Sequence, residues 1–211
     1  MKKFKLTSEF IVDISGVKLF RIKALIEFGN VKAGDLGGYI EKEENLSHMG
    51  DAWIYGDAQI SGDAQISGNA QVFGDAQVFG NAWVFGDAQV FGNAWVSGNA
   101  QVFGDAWVFG NAQVSGNARV SGNARVSGDA WIYGDARVSG DKDYAYAHGF
   151  GSCNRTTTFF RLKDGDVGVR CGCFYGTLAQ FRDKVCETHG ETKKAQEYLM
   201  LADLMEIRFK N

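Results

Sequence analysis

Few side chains in this sequence have the types and spacing to do chemistry. There are three histidines, His48, His148 and His189, and four cysteines, Cys153, Cys171, Cys173 and Cys186. An imidazole is the usual general base near neutral pH. His148 is the best candidate, because it stands just after a long repeat and beside Gly149-Phe150-Gly151-Ser152-Cys153. An ordinary surface or linker histidine is the plainer reading. Thiolates and imidazoles also bind zinc. Cys171-x-Cys173 would set two thiols on one strand face, Cys186 and His189 are one helical turn apart, and Cys153 is near in sequence. The paired C-x-x-C knuckles of zinc sites are missing, so buried apolar thiols are the plainer reading here. A third set is Arg119, Arg125 and Arg137, with Trp107 and Trp131 near them. Arginine beside aromatic rings can hold a phosphate or a base; solvated variation at an outward position explains it equally. Gly34-x-x-Gly37-Gly38 lacks the Lys-Ser/Thr of a phosphate loop. No cofactor is expected.

The arginines and tryptophans sit in the element that organises the chain. From Gly50 to Ser139 the motif Gly-Asp/Asn-Ala-x-Val/Ile-x repeats fifteen times without insertion. A six-residue period matches no helical repeat. Ala and the aliphatic residue are two apart, so on a strand they share one face. The residues at the two x positions share the other. Gly-Asp or Gly-Asn then turns the chain, because Gly accepts positive φ and Asn and Asp tolerate it. No unit can bury its own Ala-Val pair, so the units must coil and stack.

The unit resembles the hexapeptide repeat of left-handed parallel β-helices, an aliphatic residue followed four positions later by a small one: Val72 then Ala76, Val78 then Ala82. The resemblance implies a left hand, against the usual right-handed crossover rule. It also implies triangular coils of three units. The fifteen repeats then form about five coils, roughly 24 Å long. Outward residues fall on three faces. The first carries Tyr55, Phe73, Phe91 and Phe109; the third carries Phe85 and Phe103. Rings on the first face alone would approach the few hundred Å² of contiguous apolar surface at which lone soluble proteins usually stop. Another subunit, the terminal segments or an outside partner should cover them. Self-association is the favoured cover.

A wider resemblance spans roughly residues 17 to 140. Arg21-Ile22-Lys23-Ala24-Leu25, then Val31-Lys32-Ala33-Gly34-Asp35-Leu36-Gly37-Gly38-Tyr39-Ile40-Glu41, then Asn45-Leu46-Ser47, lead into Gly50-Asp51-Ala52-Trp53-Ile54-Tyr55. This order is similar to phage, prophage and bacterial β-helix proteins labelled transferase or polymer-forming protein, whose function is not established. The run Cys171-Gly172-Cys173-Phe174-Tyr175-Gly176-Thr177-Leu178 resembles a tail on phage members. Left-handed β-helices include acyltransferases, usually trimers with a histidine base between subunits. Here no histidine lies in the repeat and no loop interrupts it.

The 211 residues carry 28 Gly, no Pro and a net charge of −3. That charge makes nucleic acid an unlikely partner. The repeat concentrates the negative charge, with nine Asp against three Arg from 50 to 141. Stacked Asp corners could mimic a nucleic-acid backbone, although Asn69, Asn81, Asn93, Asn99, Asn111 and Asn117 interrupt them. The chain has no apolar run of transmembrane length and no signal-peptide core. A cytoplasmic location, in the host cell for a phage protein, and reduced thiols are expected.

Residues 1–49 read as an N-terminal β-hairpin cap, 50–141 as the β-helix and 142–211 as a C-terminal ββαα module. In that module, strands at 156–162 and 167–173 precede a helix capped by Thr177 and Gln180. A second helix runs from about Thr192 to Phe209. The fold expected is mainly β. The function expected is a non-enzymatic binding or scaffold protein of phage or prophage origin, engaging and inhibiting a host defence protein. It would be a homo-oligomer, a trimer favoured. The alternatives are a hexapeptide-type acyltransferase and an acidic nucleic-acid mimic.

Overall fold

A computed structural model describes residues 1–151 and 154–210. The chain opens with β1 (Phe4–Val12), β2 (Lys18–Ala24) and β3 (Leu36–Ile40). Fifteen two-residue strands follow, from β4 (Trp53–Ile54) to β18 (Arg137–Val138), one per repeat unit. Every Ala and every aliphatic residue of the repeat is fully buried, as the two-residue alternation requires. Each strand pairs in parallel with the one eighteen residues on: Gln71 with Gln89 and then Trp107, Gln77 with Trp95 and then Gln113, Trp83 with Gln101 and then Arg119. Three parallel sheets therefore wrap one apolar core.

The solenoid has about six turns rather than the five counted from the repeat. The extra turn comes from outside the motif. Tyr39 and Ile40 of β3 pair in parallel with Gln59 and Ile60, and Leu46 bridges Ile66. Neither segment shows the hexapeptide pattern, but each supplies a buried aliphatic residue at the right level. β1 and β2 then extend the β3 sheet antiparallel, making it eight-stranded.

The corners divide their work differently from expectation. All fifteen corner glycines, Gly50 to Gly134, take positive φ. At Gly86, φ is +74° and a Cβ would meet the Gly104 nitrogen at 3.0 Å, so glycine is required by conformation and by the next coil. The following Asp or Asn is not left-handed: among the described residues only Asn154 is a non-glycine at positive φ. The Asn residues instead build ladders. Asn81 donates to Asn99, Asn99 to Asn117 and Asn117 to Asp135, at 3.0–3.2 Å. Asn93 donates to Asn111 and Asn111 to Asp129. An amide both donates and accepts, so it links the coils on either side, which a carboxylate cannot do.

The terminal segments close the two ends. At the N-terminal end, Lys3 is 1 % exposed, and its ammonium donates to the carbonyls of Gly50 (3.2 Å) and Ala52 (2.8 Å). Burial lowers its pKa from 10.5 to about 8, with Asp51 pulling the other way. Asn45 donates to the carbonyls of Gly62 and Ala64 and accepts from Lys42 N–H. Trp53, expected to point outward, is buried beneath Phe4 and Phe28.

At the C-terminal end, β19 (Tyr144–Phe150), β20 (Arg155–Arg161), β21 (Val167–Cys171) and β22 (Phe174–Thr177) form an antiparallel sheet in sequence order. It has two strands more than the ββαα reading. α1 (Leu178–His189) and α2 (Lys193–Phe209) follow. Thr177 caps α1 with Gln180 reciprocating, Gly190 ends it and Thr192 caps α2. β20 joins two cores through its alternation: Phe160 belongs to the solenoid core and Phe159 to the helical one, with Phe181, Tyr198 and Phe209.

Candidate functional site

The coil spacing builds the aromatic columns. A side chain at one level lies about 4.8 Å from its counterpart on the next coil. Phe73, Phe91 and Phe109 are stacked at 4.8 and 4.9 Å with their planes within 5° of parallel. Phe85 and Phe103 stack likewise at 4.9 Å on the third face. Trp107 stands edge-on to Phe91 at 6.0 Å. Each stacked ring covers part of its neighbours, so all five are half-buried. Tyr55 does not extend the column as a free ring. It packs against the core near the N-terminal end, and burial raises its hydroxyl pKa.

The second face carries an aromatic pair outside the expected set. Phe79 and Trp95 meet edge to face at 6.0 Å, and Trp95 is 38 % exposed. The hairpin tip Ile11–Ser15 overhangs them, leaving a groove of about 220 Å³. Trp83, on the third face, is the most exposed ring of the solenoid at 46 %. The signal was present in the sequence: both tryptophans occupy the first x position, where Gln is the common residue.

The arginine set divides. Arg125 lies over the Trp107 ring at 4.9 Å on the first face. Arg119 and Arg137 are neighbours on the third face. Arg137 spends its guanidinium on the carbonyls of Asn117, Asp135 and Ala136. Trp131 meets none of the three. Arg170, from the C-terminal sheet, covers it at 3.9 Å and reaches Tyr133 at 5.1 Å. The late-coil rings thus belong to the junction with the C-terminal module.

Cys171 and Cys173 do not lie along one strand face. β21 ends at Cys171, which pairs with Phe174 across a two-residue hairpin loop opened by Gly172 at φ +57°. The Cys171 thiol accepts from Thr157. Cys171, Cys173 and His189 line one shallow pocket with Tyr198, and Cys186 is exposed outside that lining. Among the described residues no three His, Cys, Asp or Glu side chains stand close enough to hold a metal. Cys153 lies outside the described residues. His148 is exposed on β19, with Nδ1 3.0 Å from Thr156 Oγ1. His48 is structural, stacked on Phe4 at 4.4 Å and accepting from Lys3 N–H.

The corner columns do not form a continuous acidic ribbon. In eighteen-residue register no column carries more than two consecutive Asp residues, and Asn ladders separate the rest. No helix among the described residues is long and apolar enough to cross a membrane.

The YdcK beta-solenoid repeat family matches at residues 64–78, 88–102, 100–116, 112–128 and 118–132. The coils are similar to the YdcK beta-solenoid repeat. All of the matched segments fall between the second coil and the last, where the hexapeptide period is unbroken. A comparison with curated proteins gives no match.

Proposed function

We propose that this β-solenoid is a non-enzymatic scaffold that binds another protein through its aromatic faces. The observation that carries this reading is the flush Phe73–Phe91–Phe109 column. A stacked, preorganised apolar strip costs little side-chain entropy on binding. Aromatic side chains are also the commonest anchors of protein interfaces. The resemblance to phage and prophage β-helix proteins points to a host protein as partner, within the bacterial cytoplasm, and to a defence protein as the target. A trimer closed over the same column is the competing use of this face.

Serine already follows the aliphatic residue in many units, so Phe73, Phe91 and Phe109 can be changed to Ser within the repeat's own grammar. The wild-type protein should retain a discrete bacterial protein from lysate, and the folded triple variant should not. Equal retention by both would overturn the aromatic-face reading. An acyl-CoA-dependent transfer lost in His148→Ala would replace it with the acyltransferase.

A further inference from the structure

α2 carries two apolar stripes on opposite sides. Ala195, Tyr198, Ala202, Met205 and Phe209 face the module's core. Met200, Leu204 and Ile207 are exposed, at 71, 54 and 71 %. Their spacing of four and three residues makes a single stripe along the helix. Isolated exposed apolar residues are ordinary, whereas a contiguous row marks an interaction surface.

The charges beside the stripe indicate what it meets. Glu197 and Arg208 are eleven residues apart, which is three helical turns, so they lie along the same flank. Glu197 accepts from the Gly151 N–H at 2.9 Å, and Arg208 donates to the carbonyls of Asp141 and Tyr144 at 3.1 and 3.4 Å. Among the described residues neither takes part in an ion pair, while nearby Arg182, Asp203, Glu206 and Lys210 all do. A two-fold axis crossing the helix midway between 197 and 208 preserves the flank and reverses the direction. It sets Arg208 of each copy opposite Glu197 of the other and lays the two stripes together. Asp203, near the axis on the other flank, is already neutralised by Arg182.

We infer that α2 is a homodimer interface, in which two copies pair antiparallel through Met200, Leu204 and Ile207, with Glu197–Arg208 ion pairs in both directions. The occupant is a second copy of this chain, because the charge pattern is complementary to itself under rotation. This does not depend on what the phenylalanine faces bind.

The test is solution mass by light scattering over a concentration series. The wild-type protein should approach twice the chain mass, and Leu204→Glu should return it to one. Glu197→Arg and Arg208→Glu should each weaken the dimer by about tenfold or more. The double charge swap should restore it, because both ion pairs re-form with reversed sign. All three substituted positions are partly or fully exposed, and thermal melts check that the fold is kept. A wild type that is monomeric throughout overturns the proposal. So does assembly indifferent to Leu204→Glu, or a double swap no better than the singles. A trimer lost on Phe91→Ser but unaffected by Leu204→Glu would support the aromatic self-interface and overturn this one.

Discussion

At the N-terminal end of the solenoid the open backbone groups are mostly carbonyls, and Lys3 and Asn45 donate to them. At the C-terminal end they are mostly N–H groups, and Asp141, Asp143 and Thr158 accept from Arg125, Ser139 and Trp131. Both ends have exceptions: the Gly62 N–H is taken by Glu41, and the Arg125 and Asp135 carbonyls are taken by the Tyr144 hydroxyl and the Lys163 N–H. In the middle coils both kinds of group find the neighbouring coil. The contrast teaches that a parallel solenoid has a polarity, so its two caps need opposite chemistry. The caps are where side chains take over from backbone, and where the repeat stops.

Breaking the N-terminal cap should have the largest effect. Asn45→Leu leaves two carbonyls and one N–H without partners, at about 1–3 kcal/mol for each group that stays buried. Denaturant unfolding should show a loss of about 3 kcal/mol or more, with hydrogen exchange rising first in the initial coil. The matching change at the other end, Thr158→Val, strands a single N–H, that of Trp131. It should cost about 1–2 kcal/mol in the same assay. An equal or larger loss there would mean that the C-terminal module carries the solenoid.

Lys3 sharpens the comparison through pH. Its folded pKa, about 8, lies below the ordinary 10.5. Between these values the unfolded chain holds a proton that the folded chain has released. Stability from this group is therefore complete above 10.5 and is lost as pH falls through about 8. Wild-type stability relative to Lys3→Met should rise across that interval, and a flat difference would mean that the amine is hydrated in solution. The smallest effect belongs to the exposed ladders. Asn99→Ala removes one donor and one acceptor at the surface and should cost about 0.5 kcal/mol by thermal unfolding.

Much of the fold was legible because its signals are local and repeated. The alternation buries Ala94 and Val96 in the same way as Ala112 and Val114. Stacking of Phe73 on Phe91 follows from an eighteen-residue turn. Thr177, Gln180 and Gly190 bound α1 by chemistry within a few residues of its ends. The ends were not legible. Lys3 reads as a solvated charge in a basic start, yet its partner Ala52 is 49 residues away. Trp131 reads as a neighbour of the late arginines, yet its ring belongs to Arg170.

The sequence by itself determined the period, the inward Ala and Val/Ile rows, the aromatic columns and the helix caps of the tail. In each case one residue's surroundings are set by neighbours at a fixed offset. Only the tertiary structure decided the sixth turn, the burial of Trp53 and Lys3, the division of the arginines between faces and the bare stripe on α2. Each of these depends on which distant segment docks at an end or a flank. Non-local packing of that kind leaves no periodic trace, because it is satisfied once and by side chains whose partners share no spacing rule.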